Sequence, residues 1–149
     1  YRPFLQYEGH VGFSDLAFSD DKIYVEGCRL FQEIHRYYPE AYFVLNTRDE
    51  DGWIRSRLAH QNGRIIGHVT AATGLSEDEV IDGWRTVFRR HHDEVESHFN
   101  DCPRYLRFDI ETDDISDFAK LVEPNFTIDT THWRKANRNR ELARAVSAT

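Results

Sequence analysis

The stretch Tyr38–His60, YPEAYFVLNTRDEDGWIRSRLAH, decides the fold. Within it, Ala41–Thr47 (AYFVLNT) is an unbroken apolar run rich in strand formers. Such a run, without polar alternation, marks a strand covered on both faces, as in a parallel sheet. Asp49 follows at once and is a residue that caps helices, so a helix is expected from there to about His60. In open α/β sheets ligands gather beyond the carboxyl ends of the strands, and Arg48 stands at that end. The first N–H groups of a helix favour anions. Arg48 adds a permanently charged planar fork, and Ser56, eight residues later, adds a hydroxyl about two helical turns in. The residues alone therefore describe an anion site. The competing reading pairs Arg48 with Asp49 or Glu50 on the surface and leaves Ser56 to packing.

Working outward, Ile23–Tyr38 carries Leu30, Phe31, Ile34 and Tyr38 at helical spacing and stops at Pro39, which predicts one helix. Tyr1–Asp21, with Gly9, Gly12 and several aromatics, reads as loop. Gln61–Gly74 contains three glycines and also reads as loop, with at most a short helical turn. Ser76–Glu79 (SEDE) is a capping box that opens the longest helix, to about Asn100. Val80, Trp84, Val87, Phe88, Val95 and Phe99 share one of its faces. Arg104–Ile110 (RYLRFDI) is a second strand. Asp113 or Asp114 caps a helix with Ile115, Phe118, Leu121 and Val122, ended by Pro124. Asp129–Val146 reads as a basic helical tail. Strands separated by helices imply crossovers and a parallel sheet, so the expected class is α/β, with residues 1–149 as one domain. Two strands do not make a stable sheet alone. Further strands are expected from the irregular N-terminal part or from outside this sequence, which begins on Tyr1 rather than Met.

A net charge of -7 argues against a general nucleic-acid binder, which usually carries a basic surplus. No apolar run approaches the ~20 residues of a membrane span, and Tyr1–His10 lacks the basic start and apolar core of a signal peptide. The expected location is the cytoplasm, without a membrane partner. Cys28 and Cys102 are too few for a disulfide framework and read as free thiols.

The Tyr38–Ser56 segment resembles the 3'-phosphate-binding segment of sulfotransferases that use 3'-phosphoadenosine-5'-phosphosulfate (PAPS). The matching features are Tyr38-Pro39, Phe43-Val44-Leu45, Thr47-Arg48-Asp49, Trp53 and Ser56. Downstream, Trp84 with His91-His92, Val95 and Phe99 is similar to the family's long helix. Tyr105–Ile110 is similar to its next strand, and Asp117-Phe118 through Val122 to the helix after it. Upstream, Gly12-Phe13-Ser14-Asp15 resembles an acidic loop of bacterial members. The resemblance implies a P-loop-NTPase-like parallel sheet flanked by helices. It also implies PAPS as cosubstrate, no metal, and a small-molecule or glycan acceptor with a hydroxyl or amine. Arg48 and Ser56 are then expected on the 3'-phosphate. The basic stretch behind Trp133, with Arg134, Lys135, Arg138 and Arg140, is expected to help them; a solvated helix face is the plainer account of it.

The family also begins with a strand and a glycine-rich loop that points backbone N–H groups at the 5'-phosphosulfate. Neither Gly9–Gly12 nor Gly63–Gly67 has the strand–loop–helix setting for that work, so this N-terminal element is expected to be missing from the sequence. Sulfuryl transfer needs a base for the acceptor proton, and Asp15 is the candidate, with His10 and Asp20 as rivals; the competing role for Asp15 is to serve a turn. His91, Glu94 and His98 lie at helical spacing and define a rival, metal-dependent hydrolase. The expectation is instead that His91 and His98 are buried among apolar neighbours without a metal, and that Trp53 and Trp84 are core. A third reading is an inactive nucleotide-binding or scaffold module of the same fold.

Overall fold

The computed structural model describes residue 4, residues 9–19 and residues 24–134. Two short strands, β1 (Ala17–Ser19) and β2 (Tyr24–Glu26), pair antiparallel. A 3-10 turn over Gly27–Leu30 leads into α1 (Phe31–Tyr37). Then come β3 (Phe43–Thr47), α2 (Glu50–Ala59), α3 (Arg64–Thr73), the long α4 (Glu77–His98), β4 (Tyr105–Asp109) and α5 (Ile115–Val122). β3 and β4 pair parallel, with Phe43 opposite Tyr105 and Thr47 opposite Asp109. The result is a mixed helix–strand structure with a small parallel pair flanked by helices.

The helix after β3 starts where its cap predicts. Asp49 accepts from the N–H groups of Gly52 at 2.6 Å and Asp51 at 3.3 Å. Gly52 suits that place, because a Cβ there would meet Asp49 Oδ2 at 2.9 Å. Ser76 and Glu79 form the reciprocal capping box at the start of α4, and Asp114 caps α5 through the Ser116 N–H. Removing a cap of this kind costs about 1 kcal/mol. Asp49→Ala is therefore expected to lower unfolding stability by that amount in a urea titration, with the slope on denaturant unchanged.

Three expected elements differ. The span Tyr1–Asp21 is not all loop, since it contains β1, held by pairing with β2. The span Ile23–Tyr38 is not one helix: its first part is β2 and the 3-10 turn, and α1 begins only at Phe31. The cause is tertiary. Gly27 donates to the Leu16 carbonyl at 2.6 Å, and a Cβ on Gly27 would lie 2.5 Å from the Leu16 Cβ. That close approach closes the β1–β2 hairpin and overrides the helical spacing. The span Gln61–Gly74 is not loop: α3 occupies most of it. Two of its three glycines act as punctuation, while Gly67 lies within α3. Gly63 and Gly74 have φ of 81° and 73° at the two ends of α3, the left-handed region open to glycine.

The core lies between α1, α4 and the parallel pair. Phe31, Val95 and Phe99 are buried together, with Phe43, Leu45, Cys102 and Tyr105 packed against them. Farther along α4, the Arg57 guanidinium lies between two half-buried indoles, 5.3 Å from Trp53 and 4.7 Å from Trp84. These tryptophans join α2 to α4 by clasping a cation rather than by filling the core. Among the described residues no helix is long and apolar enough to cross a membrane, and Cys28 and Cys102 are free thiols.

Candidate functional site

β3 delivers Arg48 to the carboxyl end of the parallel pair. The residue before it, Thr47, is only 4% exposed and is held from α4. His92 donates from Nδ1 to the Phe88 carbonyl at 2.8 Å, because a carbonyl can only accept. In the neutral ring Nε2 is then the acceptor, and the Thr47 hydroxyl donates to it at 2.7 Å. This bridge pins the end of β3 to α4 one residue before Arg48. Sequence reasoning passed over His92 as part of a helix pattern; nothing local announces a partner 45 positions away.

The carboxylates around Arg48 are sorted by geometry. Asp49 is engaged with the first N–H groups of α2. Glu50 takes a two-pronged contact from Arg89, at 2.7 and 2.8 Å, and one from Arg85 at 2.6 Å. Asp51 also meets Arg85, at 2.7 Å. Arg48 pairs with neither of its sequence neighbours but with Glu111, at 3.5 Å, just beyond β4. Asp49 already occupies two of the N–H groups at the start of α2, so an anion placed here would meet mainly side chains. Ser56 lies seven residues beyond Asp49, on the same helix face. It is half-buried, and among the described residues its hydroxyl makes no hydrogen bond.

The arginines hold the Glu50 carboxyl down, Arg89 first and then Arg85, from the usual 4.5 to about 2. A carboxyl depressed on folding stabilises the protein above its ordinary pKa and loses that contribution as pH falls through the folded value. The gap in melting temperature between the wild type and Glu50→Gln is therefore expected to be widest near neutrality. It should close between about pH 4.5 and 2. A gap that stays constant over this range would show that Glu50 acts without its charge.

The other candidates are scattered. Asp15 sits in a bend with φ of 49°, a left-handed backbone that Asp tolerates better than most residues. Among the described residues it makes no hydrogen bond or ion pair with Arg48 or Ser56. His10 is exposed, and Asp20 lies outside the described residues. Asp129 caps a 3-10 turn at Thr130–His132, where a helix is expected, and Arg134 is exposed beyond it. Lys135, Arg138 and Arg140 lie outside the described residues, as does the rest of the expected helical tail.

The histidines of α4 differ from expectation in one respect. His91 is half-buried, edge-on to Phe31, and burial with help from His92 pushes its pKa down. His98 is exposed rather than buried, and its Nε2 lies 2.9 Å from His35 Nδ1. Glu94 faces Arg90 at 3.8 Å. Among the described residues no three side chains of metal-ligating type come together.

Gly63 ends a turn between two helices, α2 and α3. That is not the strand–loop–helix setting of a phosphate-cradling loop. Comparison with known proteins gave one family match: residues 20–65 fit the model described as "Sulfotransferase domain". The match takes in β2, α1, β3 and α2 and covers just under a third of the 149 residues. No curated protein and no solved structure matched the chain. The matched region contains Arg48, its Asp49 cap and Ser56, and this part of the chain is similar to a sulfotransferase domain.

Proposed function

We propose that the chain, read as one P-loop-NTPase-like sulfotransferase domain, serves sulfuryl transfer from PAPS to a hydroxyl or amine on a small molecule or glycan. The observation that carries this is the order β3, Arg48, Asp49 cap, Ser56 inside the matched region. Arg48 has the charge and fork for the 3'-phosphate, and Ser56 has a hydroxyl to give. Arg134 and Lys135 are proposed as further cationic contacts. PAPS supplies the sulfuryl group: its sulfur–oxygen bond to the 5'-phosphate breaks as the acceptor oxygen or nitrogen bonds to sulfur. Asp15 is proposed to take the acceptor's proton. The reading calls for positioning and charge stabilisation rather than a covalent enzyme intermediate, as in phosphoryl transfer. Neither metal nor nucleic acid has a part in it, and it fits a cytoplasmic protein.

Calorimetric titration of the chain with 3'-phosphoadenosine-5'-phosphate (PAP) tests the proposal. Saturable binding at one site is expected. No heat and no competition with PAPS would overturn it. In a chain extended by an N-terminal strand and glycine-rich loop, binding without transfer to any acceptor would instead favour the inactive nucleotide-binding module.

A further inference from the structure

The carboxylate opposite Arg48 is put there by a loop that does not depend on Arg48. The Ile110 N–H donates to the Thr47 carbonyl at 3.0 Å, extending the parallel pairing one residue past β4. The Glu111 N–H donates to Asp109 Oδ1 at 2.8 Å. Asp113 closes the turn in both directions: its carboxylate accepts from the Asp109 N–H at 2.7 Å, and its own N–H donates to the Asp109 carbonyl at 2.9 Å. Glu111 is thereby held beside the guanidinium, 3.5 Å from Nη2, with the two side chains 30% and 42% exposed. A partly solvated pair at that distance is weak. A phosphate on the same fork makes shorter, charge-assisted, two-pronged contacts.

We infer that Glu111 is a built-in competitor for the anion at Arg48, a carboxylate that an incoming phosphate must displace and that then repels it. The inference rests on the reading of Arg48 as a phosphate ligand. It assigns Glu111 a role in setting nucleotide affinity, opposite in sign to that of Arg48.

The test is calorimetry with PAP at low ionic strength on four forms of the chain: wild type, Glu111→Gln, Arg48→Ala and the double variant. Glu111→Gln is expected to bind about two- to fivefold tighter, the range of a surface pair. Glu111→Lys should bind tighter still. The gain must vanish in the Arg48→Ala background, because the competition is for Arg48. An unchanged or weaker affinity in Glu111→Gln overturns the inference. So does a gain that persists without Arg48, which would be the general effect of one less negative charge. If Arg48→Ala leaves wild-type affinity unaltered, it is the phosphate reading that fails; absence of binding in every form overturns both. Thermal melts verify that each variant is folded, and Glu111→Lys serves if Glu111→Gln is not.

Discussion

Phe99→Ala is expected to destabilise the protein by about 3–5 kcal/mol, the range for a fully buried phenylalanine. Phe99 is 2% exposed, and no other side chain of its size is so fully enclosed among the described residues. Its ring lies 4.7 Å from Phe43 on β3, stacks on Tyr105 of β4 at 5.0 Å and reaches Phe31 of α1 at 6.0 Å. One side chain at the end of α4 thus touches both strands and the helix before them. Its removal leaves a cavity that none of these elements can fill without giving up its own contacts. Against a total stability of about 5–15 kcal/mol, the loss is about a fifth or more. Urea denaturation of both proteins measures it. A cost below about 1 kcal/mol, the level of ordinary surface changes, would mean that the core is organised around other residues.

Arg48→Ala is expected to weaken PAP binding by about one to two decades, from roughly 1.5–3 kcal/mol for a charge-assisted contact. Adenosine-5'-phosphosulfate, which lacks the 3'-phosphate, should lose far less. Arg48→Lys should recover only part of the loss, since a point charge cannot reproduce the planar fork. Ser56→Ala should cost less, about 1 kcal/mol, as a neutral donor. Calorimetry with both ligands separates the cases. Equal losses would place Arg48 on the other phosphate or in folding, and no loss would remove the phosphate assignment. The urea curve of Arg48→Ala should remain close to wild type, because its ion pair with Glu111 is a partly exposed one.

What was legible in the sequence was local. The Asp49 cap, the SEDE capping box and the Asp114 cap each depend on neighbours within about four positions, and each was read correctly from them; β3 lies where expected but is not covered on both faces, since Val44 is 39% exposed in a two-stranded sheet. Strand β2 hid inside an apparent helix because the contact that decides it, Gly27 against Leu16, is tertiary. Helix α3 hid behind glycines that mark its ends. The site shows the same division. Arg48, Asp49 and Ser56 follow from spacing along one strand and one helix. Glu111 and His92 come from segments 63 and 44 positions beyond Arg48 (111 − 48 and 92 − 48), brought in by the register of β4 and the pitch of α4. Distant partners also account for Glu50, whose sequence neighbour Arg48 was the obvious cation but whose real ones are Arg85 and Arg89.

The parallel register also sets an order of events when the chain is made. Phe43 and Tyr105 are 62 positions apart (105 − 43), with three helices between them. Closing a loop of that length costs about 3–4 kcal/mol in chain entropy before the first pairing bond forms. The capped α4 can form from its own residues at once, whereas β3 cannot find its partner until β4 exists. At ribosomal rates of about 5–20 residues per second, some 3–12 s separate the synthesis of the two strands. For that interval Phe43-Val44-Leu45 is an apolar strand with no mate on a growing chain, the kind of segment that chaperones capture and that seeds aggregation.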